Sequence, residues 1–223
     1  MRKSTLLVLA SFFLGGLLAS CSVNRGFVST LTRNDIQQIQ QFEPLCYFGL
    51  IENGNKVTYN DSLTSIAQGL FKTALAKDET LPITGTIVIE DSIVNNKVRN
   101  EISMLMYYLN RNVRVKDIPI PPTVDSILLA RNERFGLLTY NCGFTRTSSN
   151  YAGQIGKGAL IGILTLGSFY TVPYKAMVRN GIIIVDSKNH NIAFVSTGDR
   201  ESDPMNAETY RKQIVDLMKK YKK

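Results

Sequence analysis

Residues 177–197 read Met-Val-Arg-Asn-Gly-Ile-Ile-Ile-Val-Asp-Ser-Lys-Asn-His-Asn-Ile-Ala-Phe-Val-Ser-Thr. Two β-branched and aromatic runs flank a polar cluster at 186–191, the pattern of two strands joined by a tight turn. Ile182, Ile183, Ile184 and Val185 are apolar at every position rather than at alternate ones. A strand of that kind needs cover on both faces, so it belongs in the centre of a sheet with helices packed above and below.

Working outward, residues 45–51 and 135–145 are strand candidates, and Leu138, Tyr140, Cys142 and Phe144 share one face of the second by alternation. Segments 83–90 and 125–130 also read as strands, and 52–55 as a turn. Helical spacing appears at 61–77, with Leu63, Ile66, Ala67, Leu70 and Ala74 on one stripe, and at 92–112, with Val94, Val98, Ile102, Leu105 and Leu109. Met104, Met106, Tyr107 and Tyr108 widen the apolar face of the second helix, and core packing is the simpler account of it. A last helix follows Asp203-Pro204, read as a cap and a first-turn proline, and carries Tyr210, Ile214, Leu217 and Tyr221 on one side. The predicted fold is a single-domain α/β (α+β) sandwich, a mixed β-sheet with helices packed on it.

The first residues stand apart from this domain. Arg2 and Lys3 precede an apolar run at 6–18, which ends in Leu18-Ala19-Ser20-Cys21. A basic start, a short apolar core and small residues before the cut describe a secretory leader, here 1–20. The cysteine at the cut resembles the bacterial lipobox, which implies a diacylglycerol on the Cys21 thiol. Ser22 in place of Asp resembles the sorting signal for the outer membrane, with the protein on its periplasmic face. Residues 21–43, with Gln37, Gln38, Gln40 and Gln41, read as a lipidated tether in which Asn34-Asp35 caps a short helix, and 44–223 as the folded domain. Losing Arg2 and Lys3 leaves 24 cations against 18 acids, a net +6. That balance suits anionic partners such as lipopolysaccharide or acidic glycan, and equally a soluble basic surface; the compartment leaves no role for nucleic acid.

Catalytic chemistry finds little footing. The glycine-rich stretch at about 151–174 lacks the phosphate-loop pattern, because Tyr151 and Gly158 stand where glycine and a hydroxyl residue are required. From 158 to 174 it carries no charge, and it is short for a membrane span. Gly158, Gly162, Leu164, Gly167 and Phe169 mark it as an apolar insertion for association or membrane contact, or else as a buried crossover between strands. His190, the only histidine, lies in the hairpin turn. One histidine with Cys46 and Cys142 is too few ligands for zinc, and no cofactor is expected. Asp199-x-Glu201-x-Asp203 fails as a calcium loop, with Pro204 and Tyr210 at positions that need glycine and glutamate. Cys46 and Cys142 are either a disulfide or two buried thiols. Asp61-Ser62, Asp91-Ser92 and Asp125-Ser126 resemble an O-glycosylation acceptor and also suit helix caps and strand starts.

The stretch from Asn180 through Val185-Asp186 to Phe194 resembles the strand-turn-strand hairpin of the curli-secretion-channel and penicillin-binding-protein-activator lipoproteins. That resemblance implies a non-enzymatic domain that binds protein partners or self-assembles in the cell envelope. The alternative is a lipid-anchored binding module for an anionic envelope ligand. Segment 159–172 does not alternate as pore strands do, so a channel is not expected.

The leader reading makes a direct prediction. Cys21→Ser abolishes metabolic acyl labelling and releases the protein from the outer-membrane fraction; labelling that survives the change refutes it.

Overall fold

The computed structural model describes residues 24–28, 31, 33–110, 114–115, 118–166, 168–169, 172–219 and 221. Its strands are β1 (Asn24–Val28), β2 (Ile39–Phe42), β3 (Leu45–Ile51), β4 (Thr58–Tyr59), β5 (Ile83–Ile87), β6 (Phe135–Arg146), β7 (Ala176–Asp186) and β8 (Asn191–Arg200). Its helices are α1 (Asp61–Ala76), α2 (Ser92–Asn110), α3 (Pro122–Ala130), α4 (Ser148–Leu164) and α5 (Ala207–Met218). The strands form one mixed sheet in the order β1-β8-β7-β6-β2-β5. The long strand β6 takes β2 along its first part and β3 along its last, both parallel to it, and β4 pairs on the outside of β3.

The 182–185 run is the centre of the molecule, as its composition predicts. Ile182, Ile183, Ile184 and Val185 are all buried, and they alternate between two cores. Ile182 and Ile184 meet Leu63, Ala67, Phe71 and Leu75 of α1 and Tyr210, Ile214 and Leu217 of α5. Ile183 and Val185 meet Val98, Ile102 and Leu105 of α2 and Val124 and Leu128 of α3. Burying each such side chain is worth roughly 1.5–3 kcal/mol, so one strand feeds both layers.

Polar groups inside the sandwich fix its details. The buried carboxylate of Asp186 accepts from Arg134 Nε at 3.0 Å and Nη2 at 2.8 Å, and from the amides of Lys188 and Asn189. It shapes the β7–β8 turn and ties it to the start of β6. Beneath α5, Asn180 donates to Gln213, and Gln213 Nε2 donates to the Val178 carbonyl at 3.2 Å. A buried amide needs such partners, so α5 can dock in one position only.

Several expectations need correction. The tether reading of 21–43 fails where the structure describes it: β1 pairs with β8, and β2 lies between β5 and β6 with Ile39 and Phe42 buried. The short helix there is one 3-10 turn at Arg33–Asp35. Residues 125–130 are helix α3, which Pro122 opens at its first turn. The last helix starts later than expected, with Asn206 as its cap, while Asp203 turns the chain by accepting from the Met205 amide.

Two glycines of opposite environment give a test. A Cβ on Gly181 would lie 2.0 Å from a ring carbon of buried Tyr140, whereas one on Gly69, on the exposed side of α1, meets nothing. Gly181→Ala is expected to cost about 3 kcal/mol in urea unfolding, and Gly69→Ala to gain about 0.5–1 kcal/mol. Equal effects at the two positions would contradict the packing described.

Candidate association surface

The 151–174 stretch is not an irregular insertion: α4 makes up most of it. Thr147 caps the helix, its Oγ1 accepting from the Asn150 amide at 3.3 Å. The base is held by Arg146, the buried last residue of β6. Its guanidinium donates to the carbonyls of Tyr174 and Gly54, both at 2.9 Å, and to the side-chain oxygens of Asn150 at 2.9 Å and Asn55 at 2.8 Å. The Gly54 carbonyl also accepts from Asn150 Nδ2 at 3.1 Å and Gln154 Nε2 at 3.2 Å. Gly54 sits in the left-handed region, φ +56°, which its missing Cβ makes cheap. The Arg146 amide donates to the Lys175 carbonyl and the Thr147 amide to the Ile51 carbonyl. The two ends of the 148–174 excursion are therefore clamped side by side against the β3–β4 turn. Sequence reading missed Arg146; its one trace is a cation ending an apolar strand beside the Asn53-Gly54-Asn55 turn.

Beyond Gln154, among the described residues, no side chain hydrogen-bonds α4 to the body, and only Asn150 and Gly158 of the helix are buried. Ile163 and Leu164 are 73% and 74% exposed, Leu166 96% and Phe169 69%, with Leu160, Ile161, Val172 and Tyr174 also exposed. Thr165 stops the helix, its Oγ1 donating to the Ile161 carbonyl at 2.8 Å and accepting from the Phe169 amide at 3.1 Å. Gly158 and Gly162 thus lie in the helix, Leu164 ends it, and Phe169 lies on the returning segment. Gly167 and Cys21 lie outside the described residues.

A second open area lies where α2 and α3 do not reach. Tyr47 and Tyr59, both exposed, stack with ring centroids 4.9 Å apart. Register places Tyr47 beside Cys142, Cys142 beside Arg179, and Arg179 beside Asp199. The last two form a bidentate pair with both contacts at 2.6 Å. On α2 the expected stripe is core, while Met104 and Tyr108 line a shallow groove of about 290 Å³ with Ile118 and Pro121.

The remaining candidates have structural settings. His190 sits at φ +49° in the hairpin turn, its Nδ1 2.7 Å from Asp125 Oδ2. Asp91 accepts from the amides of Ile93 and Val94 and so opens α2. Cys46 and Cys142 are free. The disulfide alternative fails on register: Cys46 pairs with Asn141 and Tyr47 with Cys142, so the two thiols point to opposite faces of the sheet. Burial pushes the Cys46 thiol up to about 12 and Cys142 to about 11.

No protein-family model matches the chain and no curated protein matches it. Among solved structures it is similar to a PelC dodecamer from Paraburkholderia phytofirmans, at 8% identity and TM-score 0.41, over 90% of this chain and 97% of that one. It is also similar to the LpoB C-terminal domain from Salmonella enterica, at 9% identity and TM-score 0.31, over 78% and 88%. A DUF4136 family protein from Bacteroides thetaiotaomicron VPI-5482 matches at 5% identity and TM-score 0.32, over 88% and 94%. All three scores fall below the level at which a likeness carries functional meaning.

The thiols yield a pH prediction. Their protons are held more tightly folded than unfolded, so the unfolded chain binds fewer protons above about pH 9 and stability falls as pH rises toward 11–12. At pH 8 both thiols are expected to resist a disulfide-exchange reagent until the protein is denatured, when both react. A fast thiol in the native protein, or a crosslink between Cys46 and Cys142, contradicts the register.

Proposed function

We propose that this chain is a non-enzymatic lipoprotein of the bacterial envelope that works by contact, with the α4 excursion as its working surface. The observation that carries the reading is the run of large apolar side chains from Leu160 to Phe169 held out from the body. Exposed apolar patches of this size are costly in water and mark surfaces that are covered in use. The architecture fits: Arg146 is committed to holding the base, and Asn180 and Gln213 to seating α5. The lipobox supplies the anchor at Cys21, and the outer membrane is the expected site. Partners on this reading are envelope proteins or further copies of the chain.

The test is Leu164→Asp in the mature chain without residues 1–21. A charge buried in an apolar contact costs several kcal/mol, so the variant should give smaller species by light scattering, with an unchanged circular dichroism spectrum because Leu164 is 74% exposed. A wild type already monomeric that also ignores lipid vesicles would refute the contact role.

A further inference from the structure

The excursion is apolar and exposed at its tip. At 100° per residue, Leu160, Ile161, Ile163 and Leu164 fall within an arc of about 160°, one exposed apolar face of α4, while buried Gly158 lies on the opposite side. A helix that lies on a bilayer presents one such apolar face to the acyl boundary, and what flanks that face shows whether it meets lipid. The tip is also bracketed. Residues 158–174 carry no charge, while Lys157 precedes and Lys175 follows them, both exposed, with Tyr174 at the foot. Lysines and tyrosine at the rim of an apolar segment are the arrangement of a water–bilayer boundary. The surrounding sequence agrees in sign: from 134 to 185 there is no Asp or Glu, while Arg134, Arg146, Lys157, Lys175 and Arg179 all fall within it.

The sheet register supplies the second, independent line. The excursion leaves from the end of β6 and returns at Ala176, the start of β7. Strand β1 pairs Asn24 with Gly198, and Gly198 pairs with Asn180. Asn24 is therefore four residues along β7 from Ala176, roughly 13 Å by strand rise. Cys21 is three residues before Asn24, a reach of at most about 10 Å. Both β1 and β7 can thus be followed to one end of the sheet, the end that a lipid on Cys21 would share with the apolar tip.

We propose that the exposed tip, Leu160, Ile161, Ile163, Leu164, Leu166 and Phe169, lies embedded in the acyl boundary of the same leaflet that receives the Cys21 lipid. The inference rests on the contact role above and names what the surface touches. No helix among the described residues is long and apolar enough to cross a membrane, so the tip dips in and returns, as interfacial helices do to a depth of about 5–10 Å. A second point of attachment turns a tethered domain into an oriented one: the end with Arg146 faces the membrane and the β7–β8 turn faces away.

The chain contains no tryptophan, so a single reporter reads the arrangement. The full chain, expressed in a Gram-negative host and purified as the cell processes it, is reconstituted in phosphatidylcholine vesicles with one third phosphatidylglycerol. Phe169→Trp should show blue-shifted emission and quenching by brominated acyl chains. Lys188→Trp, at the other end of β7, should show neither. Adding Ile163→Asp and Leu164→Asp to the Phe169→Trp chain should lower the quenching at least tenfold, with circular dichroism unchanged. Absence of quenching at Phe169→Trp, with photocrosslinks from 160–169 to another protein or another copy, overturns the leaflet inference and leaves the contact role standing. Absence of both quenching and crosslinks overturns the two together.

Discussion

The unbroken pairing of β6 with β7, from Phe135 opposite Asp186 to Thr145 opposite Ala176, is the constraint on which the other elements depend. Both strands are buried on two faces over much of their length, so a slip of one residue would exchange the side chains feeding the two cores. It would carry Ile182 and Ile184 away from α1 and α5 and turn Arg179 into the layer beneath those helices. Each end of the ladder is pinned by an arginine. Arg134 grips Asp186 at one end, and the Arg146 amide bonds Lys175 at the other.

The two arginines are solved differently. Arg134 is partly exposed and meets a buried carboxylate, so charge neutralises charge. Arg146 is buried against carbonyl and amide oxygens of Gly54, Tyr174, Asn55 and Asn150. A guanidinium tolerates this because it is weakly hydrated and its donors lie in a rigid planar fork that several oxygens can meet at once. The outcome is a positive centre at the end of the sheet from which α4 departs. Asn180 and Gln213 make the third polar fixture, which orients α5 where hydrophobic contact alone would let it slide.

The sandwich was legible because its signals were periodic and strong. The 182–185 run could only be a doubly covered strand, and the stripes of α1, α2 and α5 had helical spacing. The misreadings have physical causes. Residues 125–130 looked like a strand because Ile127, Leu128 and Leu129 are consecutive; Val124 and Leu128, one helical turn apart, were the better clue. The four glutamines hid β2, a short parallel strand whose Ile39 and Phe42 reach opposite cores. In α4, Gly153, Gly156, Gly158 and Gly162 argue against a helix by intrinsic propensity, at about 1 kcal/mol each. The Thr147 cap and the Arg146 clamp offset that locally, and neither can be seen without the β3–β4 turn brought beside them. The apolar character of the stretch was plain in the sequence; its exposure was not.

Strand β1 has a practical consequence for how this protein is handled. It occupies the outer edge of β8, pairing from Asn24 with Gly198 to Val28 with Phe194. A recombinant chain cut after residue 28, a natural choice for anyone trimming a supposed linker, would leave that edge of β8 bare. An uncovered edge invites strand addition from any neighbour. Clumping of such a shortened protein would be an artefact of trimming, quite separate from the behaviour of the α4 tip, and an intact amino-terminal strand is needed before any assembly state is measured.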